Sequence, residues 1–71
     1  MTESFVHLGC NVSISTAETI KGLMQQRDIP LTEVIRRAVA VLQFVEDEVA
    51  AGNTLAVIEA GGSVRKAALL P

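Results

Sequence analysis

Val6-His7-Leu8-Gly9-Cys10-Asn11-Val12-Ser13-Ile14 is the stretch on which the reading of this chain turns. Val6, Leu8, Cys10, Val12 and Ile14 fall on one side of an extended backbone, and His7, Gly9, Asn11 and Ser13 on the other. Strict alternation at period two predicts a strand with one buried face. Gly9 weakens that strand slightly and permits close approach of another backbone.

Downstream the period changes. Ser15-Thr16-Ala17-Glu18 has the form of a capping box, with Ser15 expected to accept from the backbone three residues on and Glu18 to reach back. Ile20, Leu23, Met24 and Arg27 recur at helical spacing, so a first helix is expected to end near Arg27. Asp28-Ile29-Pro30-Leu31 interrupts it, because Pro30 disfavours helical geometry at Ile29. Thr32 is the expected N-cap of a second and longer helix. Ile35, Ala38, Val39, Leu42, Val45 and Val49 form its apolar stripe, flanked by Val34, Val41 and Phe44, which is wide enough for more than one neighbour. Gly52-Asn53 is the expected stop.

Thr54 to Glu59 then reads as a strand, Ala60-Gly61-Gly62-Ser63 as a turn, and Val64 to Leu70 as an antiparallel return. The expected organisation is a strand-helix-helix domain over residues 5–51 followed by a β-hairpin extension over residues 52–71.

A lone strand needs partners for its edge amides and carbonyls. Two solutions are open. The first strand can pair with its counterpart in a second chain, or join the C-terminal hairpin as a three-stranded sheet. The hairpin satisfies itself, and the composition asks for a partner chain, so the intermolecular ribbon is preferred. With 71 residues and a hydrophobic fraction of 49%, the chain is short for the apolar surface it carries. One cysteine, Cys10, gives no disulfide framework, and Cys10 with the single His7 cannot supply four zinc ligands. No metal or other cofactor is expected.

The formal charge is −2. Through residue 45, Lys21, Arg27, Arg36 and Arg37 balance Glu3, Glu18, Asp28 and Glu33. The acid excess lies beyond, where Glu46, Asp47, Glu48 and Glu59 outnumber Arg65 and Lys66. Any polyanion is therefore expected on the first part of the chain. No basic stretch precedes an apolar run at the N-terminus, and no apolar run has the length of a membrane span, so a cytoplasmic protein without membrane contact is expected.

These features resemble the ribbon-helix-helix family of bacterial and phage repressors, which includes the methionine and Arc repressors. The resemblance covers about residues 5–50. It rests on V-H-L-G-C-N-V-S-I, on the capped first helix, and on R-D-I-P-L-T-E-V-I-R-R-A-V, in which Leu31, Thr32 and Glu33 precede Ile35-Arg36-Arg37-Ala38. Asp28 stands where the family usually has glycine, a departure that Asp tolerates in a left-handed turn. The long second helix ending V-E-D-E-V-A-A-G-N and the trailing hairpin look like an actinobacterial or actinophage branch.

The resemblance implies a mainly helical α+β homodimer that acts as a transcription regulator, a repressor or antitoxin-like protein, with double-stranded DNA as its partner. The two-stranded ribbon would lie in the major groove, and His7, Gly9, Asn11 and Ser13 would supply the base-reading face. Thr32 and the amides after it would hold a phosphate, assisted by Arg36 and Arg37. Leu8, Cys10, Val12, Ile35, Val39 and Leu42 would form the dimer core. Family spacing makes Val12 the last inward strand residue, whereas the Ser15 capping box makes it Ile14. Either Asn11 or Ser13 is then the last outward reader.

Each assignment has a plainer counterpart. Asn11 can make paired contacts to adenine or be a solvated amide; Ser13 can touch a base or start a turn. His7 can meet phosphate or nothing, and Gly9 can mark a bulge. Arg36 and Arg37 lie near the positive end of the helix macrodipole, where cations cost about 0.3–1 kcal/mol, so an external anion gives them a use. Their alternative is pairing with Glu33 along the helix. Nothing in the sequence assembles a catalytic array, and Gly61-Gly62 lacks the surroundings of a phosphate loop, so an enzyme is not expected. The competing reading is a protein-binding module on the same scaffold, an antitoxin or a phage inhibitor of a host protein, working through residues 52–71.

Overall fold

The computed structural model describes residues 4–67. It is mainly helical, with two helices followed by a two-stranded antiparallel sheet. The chain divides into two units, Met1–Val34 and Ile35–Pro71.

In the first unit, residues 4–13 carry no regular structure and are exposed. The strand expected over Val6 to Ile14 is not formed in the single chain. Its apolar side lies open, with Val6 81%, Leu8 85% and Val12 52% exposed. The physical reason is the one that makes any lone strand unstable, namely the absence of a second edge to take its ladder hydrogen bonds. Among the described residues the sheet holds the two hairpin strands and residues 6–14 do not join it, so the three-stranded intramolecular alternative is not the arrangement adopted.

Helix α1 spans Ile14–Arg27, which places Ile14 inside the helix rather than at the end of a strand. Its cap is Ser13, not Ser15. Ser13 is extended, at φ −66° and ψ 160°, and its Oγ accepts from the Thr16 amide at 3.1 Å. The same hydroxyl donates to Thr16 Oγ1 at 2.9 Å. Ser13 and Ser15 both precede an amide they could cap. Starting at Ser13 adds two residues and their backbone bonds to the helix, beginning with Ala17 N–H to the Ser13 carbonyl at 3.0 Å. Ser13→Ala is accordingly expected to lower stability by about 1 kcal/mol in chemical denaturation, and Ser15→Ala by much less.

At its other end α1 closes on Asp28, the only described non-glycine residue at positive φ, with φ 52° and ψ 53°. The amides of Asp28 and Ile29 both donate to the Met24 carbonyl, the latter at 3.0 Å. This left-handed closure is the conformation in which glycine is least penalised. Asp28→Gly should therefore raise the midpoint of thermal unfolding, by the equivalent of about 0.5–1 kcal/mol. The least exposed side chains of this unit are Ile20, Met24, Ile29, Glu33 and Val34. Val34, at 7% exposure, is its single buried hydrophobic residue among the described residues.

Helix α2 spans Leu31–Ala50. It is entered through Pro30, whose carbonyl accepts from Glu33 at 3.1 Å and Val34 at 3.2 Å. Thr32 thus lies within the first turn and is not the N-cap. A proline has no amide to leave orphaned ahead of a helix, so Pro30 can open the helix a residue or two earlier than the Thr32 hydroxyl would.

The end of α2 falls where Gly52-Asn53 places it. Gly52, at φ 85°, donates to the Val49 carbonyl at 3.0 Å, and Asn53 donates to the Glu48 carbonyl at 3.0 Å. That pair of bonds is a Schellman closure, which satisfies carbonyls the helix would otherwise leave open. The Asn53 side chain adds Nδ2–H to Glu48 Oε2 at 2.7 Å.

Strands β1 (Ala56–Ile58) and β2 (Val64–Lys66) form the expected hairpin, with Ala56 opposite Lys66, Val57 opposite Arg65 and Ile58 opposite Val64. The Ala67 amide continues the ladder to the Leu55 carbonyl at 3.0 Å. The expected return strand ran on to Leu70, and residues 68–70 lie outside the described residues. Gly62 N–H donates to the Glu59 carbonyl at 2.8 Å and Glu59 N–H to the Ser63 carbonyl at 2.7 Å. With Gly62 at φ 94°, this is a tight turn closed by a glycine bulge.

Candidate nucleic-acid interface

His7, Gly9, Asn11 and Ser13 all lie in or at the end of the exposed segment that leads into α1. A Cβ on Gly9 would meet no atom within 4 Å, so nothing in the single chain itself requires glycine there. Ser13 differs from the other three. Its hydroxyl both accepts from and donates to Thr16, so it is engaged in holding the helix end. Asn11 is exposed, and its side-chain amide makes no hydrogen bond among the described residues. The sequence leaves Asn11 and Ser13 open because the spacing of the resemblance ends the inward face at Val12 and the Ser15 capping box ends it at Ile14; the S-x-x-T spacing from Ser13 to Thr16 is the signal for a cap at Ser13.

Thr32 sits in the first turn of α2, and Arg36 and Arg37 in the turn that follows. All three are exposed. Thr32 and Arg36 are four residues apart and share a face of the helix. The first amides of a helix have no carbonyl within it to bond, so the Leu31 and Thr32 N–H groups belong to a positive helix end. Glu33 is the acidic residue of that first turn. Glu33, Arg36 and Arg37 are each engaged with a partner, so the two arginines are not idle charges.

The residues expected as dimer core are not covered by the single chain. Cys10 is a free, exposed thiol. Ile35 is 50% exposed, Val39 61% and Leu42 49%. Spacings of four and three residues put Ile35, Val39 and Leu42 on one strip of α2, which Val49, also exposed, continues. Val34 and Val45, the better covered apolar residues of this helix, lie beside that strip. The apolar arc is broad, and the single chain leaves one side of it in water.

No helix among the described residues is long and apolar enough to cross a membrane. In comparisons with known proteins, the chain matches no family model, no curated protein and no solved structure.

Proposed function

We propose that this chain works as a ribbon-helix-helix homodimer that binds double-stranded DNA in a sequence-specific way and regulates transcription. The observation that carries the reading is the alternating segment 6–13, which ends on the Ser13 cap with its apolar side open. A second copy of the segment supplies the edge that the first lacks and covers Val6, Leu8, Cys10 and Val12. The opposite side, His7, Gly9 and Asn11, then faces the major groove. The exposed strip Ile35, Val39 and Leu42 belongs to the same interface between copies. Leu31 and Thr32 amides, with Arg36 and Arg37 a turn further on, receive phosphate.

The base-reading side carries no Arg or Lys, so little of the affinity comes from displaced counterions. The expected slope of log affinity against log salt is shallow, corresponding to roughly two to four phosphates per dimer. The test is selection from random duplex DNA followed by titration of the selected site across salt. Enrichment of a two-fold symmetric motif with a shallow slope supports the reading, and no enrichment by a chain shown to be dimeric refutes it.

A protein-binding module is the second reading, favoured by the acid excess after residue 45. Truncation after Ala51 separates the two. Undiminished DNA binding goes against it, and loss of a protein partner with no DNA bound by either form supports it.

A further inference from the structure

The two faces of the hairpin are unlike. Leu55 and Ala67 are half-buried and Val57 is 38% exposed, and that face also bears the Glu59–Arg65 ion pair at 3.0 Å. The register puts Ala56, Ile58, Val64 and Lys66 on the other face. There Ile58 is 75% and Val64 66% exposed, and Lys66 has no ion-pair partner among the described residues. This is an apolar face with one unpaired cation.

Helix α2 carries the complement. Leu42, Glu46 and Val49 follow one another at spacings of four and three residues, so Glu46 interrupts the exposed apolar strip. Asp47 is bonded to Gln43 and Glu48 to Asn53, whereas Glu46 has no such partner among the described residues. The last turn of α2 contains no basic residue, so Glu46 adds to the negative end of the helix with nothing of its own to offset it. Leu42 and Val49 on either side are 49% and 57% exposed. This is an apolar strip with one unpaired anion.

We infer that the Ile58–Val64–Lys66 face of the hairpin docks on the Leu42–Glu46–Val49 strip of a second copy of this chain. Ile58 and Val64 cover Leu42 and Val49, and the Lys66 ammonium pairs with the Glu46 carboxylate. Both partners are exposed until the copies meet, so apolar contact and charge together select the register. If the contact is two-fold, each copy gives its hairpin and receives the other's, and the interface closes. The inference needs a second copy but not DNA, so it stands or falls separately from the regulatory reading.

The test is self-association of the full chain by sedimentation equilibrium at low salt. Lys66→Glu and Glu46→Lys, each alone, are expected to weaken association roughly tenfold, since like charges then face each other twice per symmetric pair. An equimolar mixture of these two single variants should associate as the native chain does, because each hairpin then meets an opposite charge on the other chain. The doubly substituted chain should also recover. Ile58→Ser should weaken association with the helical circular dichroism retained. The inference is overturned if the native chain is monomeric throughout, if the single variants associate normally, or if the mixture stays weak. A weak mixture beside a recovered double variant would place the contact within one chain.

Discussion

Val39→Asp is expected to abolish self-association. Val39 lies at the centre of the exposed strip of α2, between Ile35 and Leu42. Covering a valine contributes about 1.5–3 kcal/mol, and a carboxylate in its place adds the cost of desolvating a charge without a partner. Each dimer contains the position twice. The combined loss is at least about 4 kcal/mol, or roughly a thousandfold in the association constant. Sedimentation equilibrium reads this directly, with Val39→Ile as the control that keeps the apolar surface. A Val39→Asp chain that sediments like the native one removes the proposed homodimer and the groove-binding model with it.

The second large effect concerns Asn11. If its amide makes a paired contact to an adenine in each half-site, Asn11→Ala removes about 1–3 kcal/mol per contact. Two symmetry-related contacts give a loss of at least about thirtyfold at the selected site. Binding to unrelated duplex should change little, because that binding comes from phosphate contacts. Asn11 is exposed and precedes α1, so helical content should be untouched. A competition shift assay with selected and scrambled duplexes checks the discrimination. Equal loss on both duplexes would mean that Asn11 touches the backbone instead of a base, and no loss on either would take it out of the interface.

Different parts of this fold were legible in the sequence to different degrees, and the reason is locality. The hairpin was readable because its cause is local: two short apolar-rich stretches flank a Gly61-Gly62 turn, and the left-handed Gly62 closes it. The stop of α2 was readable for the same reason at Gly52-Asn53. Both helices start two residues earlier than the sequence suggests. At α1 two serines could each cap, and the choice went to the longer helix begun at Ser13. At α2 the Thr32 hydroxyl resembled a cap, but the Pro30 carbonyl takes that place.

The segment from Val6 to Ser13 could not be settled by reasoning on one chain. Its alternation is plain, yet hydrogen-bonding edges come from another strand, and the single chain offers none. Much the same holds for the candidate interface. His7, Asn11, Thr32, Arg36 and Arg37 could be nominated from residue type and position. That Ser13 is committed to Thr16 emerged only with the cap geometry, which leaves Asn11 as the side chain to test first.

The glycine bulge after β1 has a consequence for length changes in the turn. Because Gly62 fixes how many residues oppose one another, Ile58 and Val64 are held on a shared side as neighbours across the ladder. Adding or deleting one residue between Glu59 and Ser63 would shift the pairing by one and rotate β2 by half a turn about its own axis. Arg65 would then change places with Val64 and Lys66, so a charged side chain would stand beside Ile58. The tip of the hairpin therefore tolerates substitution more readily than a change in length, even though it lies at the surface.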